Sequence, residues 1–183
     1  MADFRLDTAT RRPQAEREAI LADPGFGSNF SDHMVLIDWN PERGWHDHRI
    51  VGYAPFTLDP ASAVFHYAQE AFEGLKAYAH EDGSIWRFRT DVNATRFQRS
   101  ARRLALPELS VDDFLTGIDR LVDVDRDWVP RGAEPVPEAL HVRPLGLPGG
   151  QAVDLGHLRG HREPVRGLLR RIWGTTGQDL GLP

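Results

Sequence analysis

The sequence contains no cysteine, a single lysine, two methionines and three tyrosines among 183 residues. The absence of thiols excludes disulfide bonds and thiolate metal ligands, and it is typical of proteins kept in a reducing compartment. We therefore expect a cytoplasmic protein. Paired histidines occur in His46-Asp47-His48 and as His157 and His161, but the first pair is typical of a solvated turn and Gly160 interrupts the second. No metal site is predicted.

Long apolar runs and an excess of positive charge are also absent. No segment approaches the roughly 18 apolar residues that span a bilayer, and Met1 is not followed by a basic region with an apolar core. The formal net charge is −5, with 40% hydrophobic and 27% charged residues. This composition predicts neither a nucleic-acid partner nor a membrane partner, and the length suits one domain with or without a tail.

Aromatic residues are concentrated in the first two thirds of the chain. Beyond residue 130 only Trp173 remains, while residues 131–183 contain ten Gly, nine Leu, seven Arg and six Pro. Large aromatic side chains supply much of the area that a core buries. The segment after residue 130 is therefore poorly equipped to build a core of its own.

The first quarter of the chain shows a helix and antiparallel strands. Residues 1–13 are polar and are expected to be frayed, whereas Gln14–Ala22 is predicted as a short helix. His33–Trp39 and Arg49–Phe56 have strand patterns, and the segment Asn40–Gly44 between them has turn residues.

An amphipathic helix and a hairpin are predicted next. The helix has a start signal at Asp59-Pro60, and Gly74 is expected to allow a sharp turn after it. Two strands, Leu75–Ala79 and Ser84–Phe88, follow around a turn. The apolar positions with helical spacing are Val64, Ala68, Ala71 and Leu75.

Two further helices and one strand complete the prediction. Asp91 is expected to cap a helix with Phe97, Ala101 and Leu104 on one face. Ser110 is expected to cap another, whose inward residues are Phe114, Ile118, Leu121 and Val122. Glu138–Val142 is the last strand candidate. The fold class predicted is α+β, an antiparallel sheet with two or three packed helices.

The central motifs carry a family resemblance. His66-Tyr67, the run Phe72–Tyr78, Phe88-Arg89 and the helix 91–97 resemble the N-terminal domain of branched-chain amino acid aminotransferases, which are pyridoxal-phosphate enzymes of fold type IV. The similarity also takes in Asp32–Met34 and the stretch from Trp39 to Trp45. It begins near Phe26-Gly27 and ends at Val142-Arg143-Pro144. The expected organisation is an N-terminal extension over 1–25, the aminotransferase domain over 26–144, and a tail over 145–183.

The resemblance implies a reaction and its partners. Members of the family transfer the amino group of leucine, isoleucine or valine to 2-oxoglutarate through pyridoxal phosphate, and they act as homodimers. Other fold type IV enzymes, namely D-amino acid aminotransferase and aminodeoxychorismate lyase, are alternatives. The spacing from Trp39 to Trp45 and the run Phe72–Tyr78 favour the branched-chain group. Whether this chain retains pyridoxal phosphate is left open.

The resemblance also assigns site residues. Arg89 matches the arginine that binds the cofactor phosphate, since a guanidinium offers forked donors to oxyanions. Arg143 matches the arginine that recognises the substrate carboxylate, although His141 stands where the family has tyrosine. Tyr67 and Phe72 match the apolar side-chain pocket, and Phe26 lies in a loop that can approach the neighbouring subunit's site. On periodicity alone, Arg89 could be a solvated strand-end charge, and Tyr67 and Phe72 could be core residues.

No lysine in the sequence matches the family's Schiff-base lysine. Lys76 is the only lysine, and it does not match the Schiff-base position, which the family carries in a second domain. Lys76 is expected to cap the hairpin or pair with a carboxylate, and no catalytic residue is predicted. The chain is interpreted as an incomplete, inactive portion of a transaminase or, alternatively, as a non-catalytic domain. The abrupt end of the resemblance predicts that residues from about 145 come from a shifted reading frame or a truncated gene and form a mobile, irregular tail.

Overall fold

The computed structural model describes residues 3–7, 9–23, 26–130, 139–147 and 151–159. Its helices and strands form an α+β fold, as predicted. The helices are α1 (Gln14–Ala22), α2 (Ala63–Tyr67), α3 (Thr90–Arg103) and α4 (Val111–Val124), and a 3-10 turn covers Arg126–Trp128. The strands are β1 (Arg5–Leu6), β2 (Phe26–Asn40), β3 (Gly44–Gly52), β4 (Ala71–Phe72), β5 (Leu75–Ala79), β6 (Ile85–Arg87), β7 (Ala139–Leu147) and β8 (Gln151–Arg159).

All eight strands belong to one sheet. Its order is β1-β3-β2-β8-β7-β5-β6, and β4 pairs separately with β7. Every pairing is antiparallel except that of β1 with β3. Helices α3 and α4 supply much of the core that the sheet buries. The core residues of these helices are Ala94, Phe97, Ala101, Phe114, Ile118, Leu121 and Val122.

Helix α4 and the hairpin β5–β6 form where the sequence predicts them. The Ser110 hydroxyl accepts a hydrogen bond from the Asp113 backbone N–H at 3.0 Å and thereby caps α4. The predicted inward residues Phe114, Ile118, Leu121 and Val122 are buried. In the hairpin, the His80 N–H donates to the Ser84 carbonyl at 2.8 Å, and Gly83 takes a φ of 81°. Local signals are therefore sufficient for these two elements.

Replacing the α4 cap tests this local account. We expect Ser110→Ala to lower the free energy of unfolding by about 1 kcal/mol, because the Asp113 N–H loses its acceptor. Ser62 is the matched control, since it occupies the N-cap of α2 but makes no side-chain capping hydrogen bond. Urea denaturation should therefore separate the two variants. A Ser62→Ala loss as large as that of Ser110→Ala would contradict the assignment.

The N-terminal segment differs from the frayed end that the sequence predicts. Phe4 is buried in the core, and Arg5–Leu6 pairs with Arg49 and Ile50 of β3. A Cβ atom on Gly117 of α4 would lie only 3.3 Å from the Phe4 ring, so the helix approaches this ring closely. The prediction of fraying is wrong for residues 4–7, because Phe4 is buried and the backbone of the next residues pairs with β3.

The helix predicted from Asp59 to Gly74 is largely wrong. The helical part is only Ala63–Tyr67, and Ala68 ends it in the left-handed region with a φ of 47°. Ala71 and Phe72 then pair with Gly146 and Leu145 of β7. Pairing with a distant strand thus overrides the helical spacing of the small apolar residues. Gly74 does not have a positive φ, so the predicted turn in a conformation that favours glycine is also wrong.

Several element boundaries also differ from prediction. Strand β3 begins at Gly44 and ends at Gly52, before the predicted end at Phe56. In α3 the N-cap is Arg89 rather than Asp91, and Leu104 is 39% exposed at the C-cap.

The segment assigned to the tail contains strand residues. Strand β7 continues past Pro144 to Leu147, and β8 lies between β7 and β2 in the sheet. The expected irregular, mobile tail therefore does not describe residues 145–147 and 151–159. The rest of that expectation, for residues 160–183, lies outside the described residues.

Two classes of feature are not found in the described part of the chain. None of its helices has the length and apolarity needed to cross a membrane. Within the same residues, no group of three or more His, Asp or Glu side chains could hold a metal ion.

Candidate functional site

Arg89 lies at the junction of the hairpin and α3 in an unusual backbone conformation. It is exposed, and its φ and ψ of 53° and 43° lie in the left-handed region. For a residue other than glycine such a conformation costs about 1–3 kcal/mol, and it persists only where the surrounding contacts enforce it. The Arg89 carbonyl accepts from the N–H groups of Val92 at 3.0 Å and Asn93 at 3.4 Å. The strained residue thus forms the entry to α3.

The Arg89 side chain is without a partner in the part of the chain that the structure describes. Among the described residues it makes no hydrogen bond or ion pair. The N-terminus of α3 has no side-chain cap, and the partial positive charge of a helix N-terminus favours an anion there. A forked cation next to an uncapped helix start is an arrangement that suits a phosphate group.

Arg87, two residues earlier, is engaged in a different way. It is half-buried, and its Nη2 atom forms an ion pair with Asp119 of α4. Burial lowers the pKa of Arg87 from its ordinary value. Of the two arginines, only Arg89 therefore presents an unpaired guanidinium within the described part of the chain.

The aromatic residues assigned to the side-chain pocket lie on the surface. Tyr67 is 81% exposed at the end of α2, and Phe72 is 64% exposed in β4. The alternative that these two are core residues is therefore wrong. Phe65, Trp86 and Phe88 are exposed as well. Large contiguous apolar patches mark contact surfaces, whereas single exposed aromatic residues are common on protein surfaces.

The sheet register relates the remaining candidates. Phe72 pairs with Leu145, so β4 meets β7 two positions beyond Arg143. Lys76 of β5 pairs with His141, two positions before Arg143. Arg143 therefore lies between the β7 positions that pair with Phe72 and with Lys76. Phe26 is farther away, because it pairs with Arg159 of β8, and β8 separates β2 from β7.

Lys76 is partly buried, and none of the hydrogen bonds or ion pairs of the described residues involves it. The expected carboxylate partner is therefore not found there.

Sequence reasoning missed a buried carboxylate in the turn between β4 and β5. Glu73 is 3% exposed and accepts hydrogen bonds from Arg96 Nε and Nη2, both at 2.6 Å, and from Asn93 Nδ2 at 2.8 Å. The bonds to Glu73 raise the pKa of Arg96. Asn93 and Arg96 are three residues apart, so they share one face of α3. Their spacing was visible in the sequence, but their partner 20 or more residues away was not.

The chain is similar in sequence to several known proteins. No family model matches it. Over 132 residues, 72% of this chain, it is 57% identical to a probable branched-chain-amino-acid aminotransferase of Streptomyces coelicolor and 53% identical to a branched-chain-amino-acid aminotransferase of Mycobacterium tuberculosis. A branched-chain-amino-acid transaminase of Bacillus subtilis is 45% identical over 121 residues. The matched stretch covers only 36%, 35% and 33% of these relatives, respectively.

Solved structures with a similar fold belong to the same group. The T.th. branched-chain amino acid aminotransferase, determined with pyridoxamine 5′-phosphate, superposes with a TM-score of 0.53 at 17% identity over 75% of this chain and 43% of its own. The enzyme from Thermobaculum terrenum, as its M4 mutant, gives a TM-score of 0.50 at 17% identity over 75% of this chain and 41% of its own. At this identity the structures establish the fold alone. The resemblance to branched-chain-amino-acid aminotransferases is thus confirmed over the matched stretch, which spans about a third of the length of these relatives.

Proposed function

We propose that this chain forms the part of a branched-chain aminotransferase site that holds the cofactor phosphate and one side of the substrate. The observation that carries the proposal is Arg89, exposed and without a partner among the described residues, at the uncapped start of α3. These features fit a phosphate monoester, which needs forked donors and positive potential. When bound, pyridoxal phosphate would supply the electron sink for amino-group transfer.

The substrate part of the proposal uses the surface aromatics and β7. Tyr67 and Phe72 would contact the apolar side chain of leucine, isoleucine or valine, and Arg143 would bind the carboxylate. Phe26 would approach the site of the neighbouring subunit. The exposure of Tyr67 and Phe72 supports this role, since a contact surface has to be reachable. The corresponding 2-oxo acids share both features. The working unit would be a homodimer in the cytoplasm, with residues 26–144 as the aminotransferase domain.

Phosphate binding can be measured without amino transfer. Pyridoxamine 5′-phosphate carries no aldehyde, so its retention reports noncovalent contacts rather than a bond to Lys76. We expect Arg89→Ala to weaken its binding by about 10- to 100-fold, because charge-assisted hydrogen bonds to the phosphate are lost. Equilibrium dialysis of the 183-residue chain provides the measurement.

Arg99 supplies the matched control for this experiment. It is an exposed arginine on the same helix, and no hydrogen bond or ion pair of the described residues involves it. Arg99→Ala should therefore leave the affinity unchanged. Equal affinities of Arg89→Ala and the wild-type chain, or equal wild-type binding of pyridoxamine with and without phosphate, would refute the assignment.

The single lysine favours a second candidate function. A domain that keeps the fold and the phosphate contact, but has no lysine for the Schiff base, would bind an anionic ligand without catalysis. Such a domain is expected to bind pyridoxamine 5′-phosphate without turnover.

A further inference from the structure

The buried carboxylate of Glu73 connects the turn between β4 and β5 to α3 through hydrogen bonds. Both oxygens of Glu73 are used: Oε1 accepts from Arg96 Nε at 2.6 Å, and Oε2 accepts from Arg96 Nη2 at 2.6 Å and Asn93 Nδ2 at 2.8 Å. Asn93 Nδ2 also lies 3.3 Å from the Gly74 carbonyl. The Glu73 side chain is 2% exposed, whereas that of Arg96 is 59% exposed. The carboxylate is thus enclosed, and its partners reach it from the solvent side.

The hydrogen bonds of Glu73 continue through Asn93 to the backbone of Arg89. Asn93, whose side chain binds Glu73, donates its backbone N–H to the Arg89 carbonyl at 3.4 Å, next to the 3.0 Å bond from Val92. No side-chain hydrogen bond caps α3, and the first turn also includes the buried residues Thr90 and Ala94. A left-handed residue such as Arg89 needs surrounding contacts to stay in that conformation. Glu73 is linked to the Arg89 backbone through Asn93, without touching Arg89 itself.

We propose that Glu73 is a positioning residue that fixes Arg89 for a phosphate-bearing ligand and holds it in register with Phe72. The inference rests on the function proposed above. Phe72 is the residue next to Glu73, so one carboxylate orders both the phosphate arginine and a residue of the proposed side-chain pocket. Forked recognition of an oxyanion depends on the direction of the guanidinium, and small displacements weaken it strongly.

The competing explanation is that Glu73 only stabilises the fold. A phosphate-dependent measurement distinguishes this structural role from a positioning role. We expect Glu73→Gln to weaken binding of pyridoxamine 5′-phosphate by about threefold to tenfold while binding of pyridoxamine stays the same. Arg96→Lys, which keeps the charge but loses the fork, should act in the same direction. It also serves as the second variant if Glu73→Gln does not fold.

Glu108 provides a matched control at the other end of α3. It binds Arg102 through two bonds of 2.9 and 2.7 Å, the same pairing of carboxylate and guanidinium, but far from Arg89 along the helix. Glu108→Gln should leave both affinities unchanged. A loss of phosphate-dependent affinity equal to that of Glu73→Gln would show a general effect on α3 and overturn the inference.

Amide hydrogen exchange gives a readout that needs no ligand. In Glu73→Gln the N–H groups of Val92 and Asn93 should exchange faster than in the wild-type chain, while those of Ile118 and Leu121 in α4 keep their rates. If Arg89→Ala loses phosphate affinity but Glu73→Gln changes neither affinity nor exchange, the inference fails and the proposed function stands. If the wild-type chain does not prefer the phosphorylated ligand, the proposed function fails, and a positioning role toward phosphate fails with it.

Discussion

Purified protein of this sequence is expected to leave leucine and 2-oxoglutarate unreacted when pyridoxal phosphate is added. Transamination of this kind requires a lysine that forms a Schiff base and transfers a proton, and Lys76 is the only lysine among the 183 residues. Lys76 lies within β5 and pairs with His141 in the sheet. Loss of a proton-transfer group alone costs about 10²- to 10⁴-fold in rate. Turnover should therefore not exceed that of pyridoxal phosphate alone.

Glutamate formation in a coupled assay measures this expectation. The Mycobacterium tuberculosis relative, of which the matched stretch covers 35%, is a suitable positive control. Turnover above the cofactor background that disappears in Lys76→Ala would overturn the prediction and assign the chemistry to Lys76. Turnover that persists in Lys76→Ala would instead point to a contaminating enzyme.

Binding and turnover together separate the candidate functions. Phosphate-dependent binding without turnover describes a domain that keeps a cofactor contact but not the chemistry. Absence of both would leave the fold and the sequence similarity in common with the aminotransferases. Arg89→Ala and Lys76→Ala change different steps, so each variant tests one part of the interpretation.

The elements that the sequence predicts correctly are those whose determinants are close together in the chain. Helix α4 has its cap at Ser110 and its inward residues at regular spacing from Phe114 to Val122. Strand β5 is followed at once by the residues of its turn. In both cases the local preferences agree with the tertiary packing, which makes a pattern readable.

The wrong predictions concern residues whose contacts lie far away in the chain. The helix expected around Ala71 is replaced by a strand because β4 pairs with residues of β7 more than 70 positions later. Phe4 lies in a mostly polar segment, and only the fold shows that it packs beside Gly117. Neither partner can be identified from spacing within one segment.

The sequence likewise predicts some features of the candidate site and not others. Resemblance to a family identifies Arg89, Tyr67 and Phe72 as residues of interest. It does not give the left-handed backbone of Arg89 or the buried bonds of Glu73, which depend on how α3 lies against the β4–β5 turn. The residue types of a site are thus accessible from the sequence, whereas the contacts that position them are not.

A second buried carboxylate connects α4 to the sheet. Asp125 follows the end of α4 and accepts hydrogen bonds from the His33 backbone N–H at 3.0 Å and from the His33 ring Nδ1 at 2.6 Å. The side chains of His33 and Asp125 are 3% and 2% exposed. The two residues are 92 positions apart, so this contact joins the helical layer to the central strand β2.

Replacement of Asp125 by alanine is expected to lower the free energy of unfolding by about 3–5 kcal/mol, because it leaves a backbone N–H and a ring nitrogen of His33 buried without an acceptor. Asp123 is the control, since it lies in α4 with a side chain that is 72% exposed and pairs with Arg126 only at 3.9 Å. Asp123→Ala should cost less than about 1 kcal/mol. Asp125→Asn keeps one acceptor and should fall between these two variants. Urea denaturation compares the three proteins, and equal losses for Asp125→Ala and Asp123→Ala would show that water or rearrangement satisfies His33 when the carboxylate is absent.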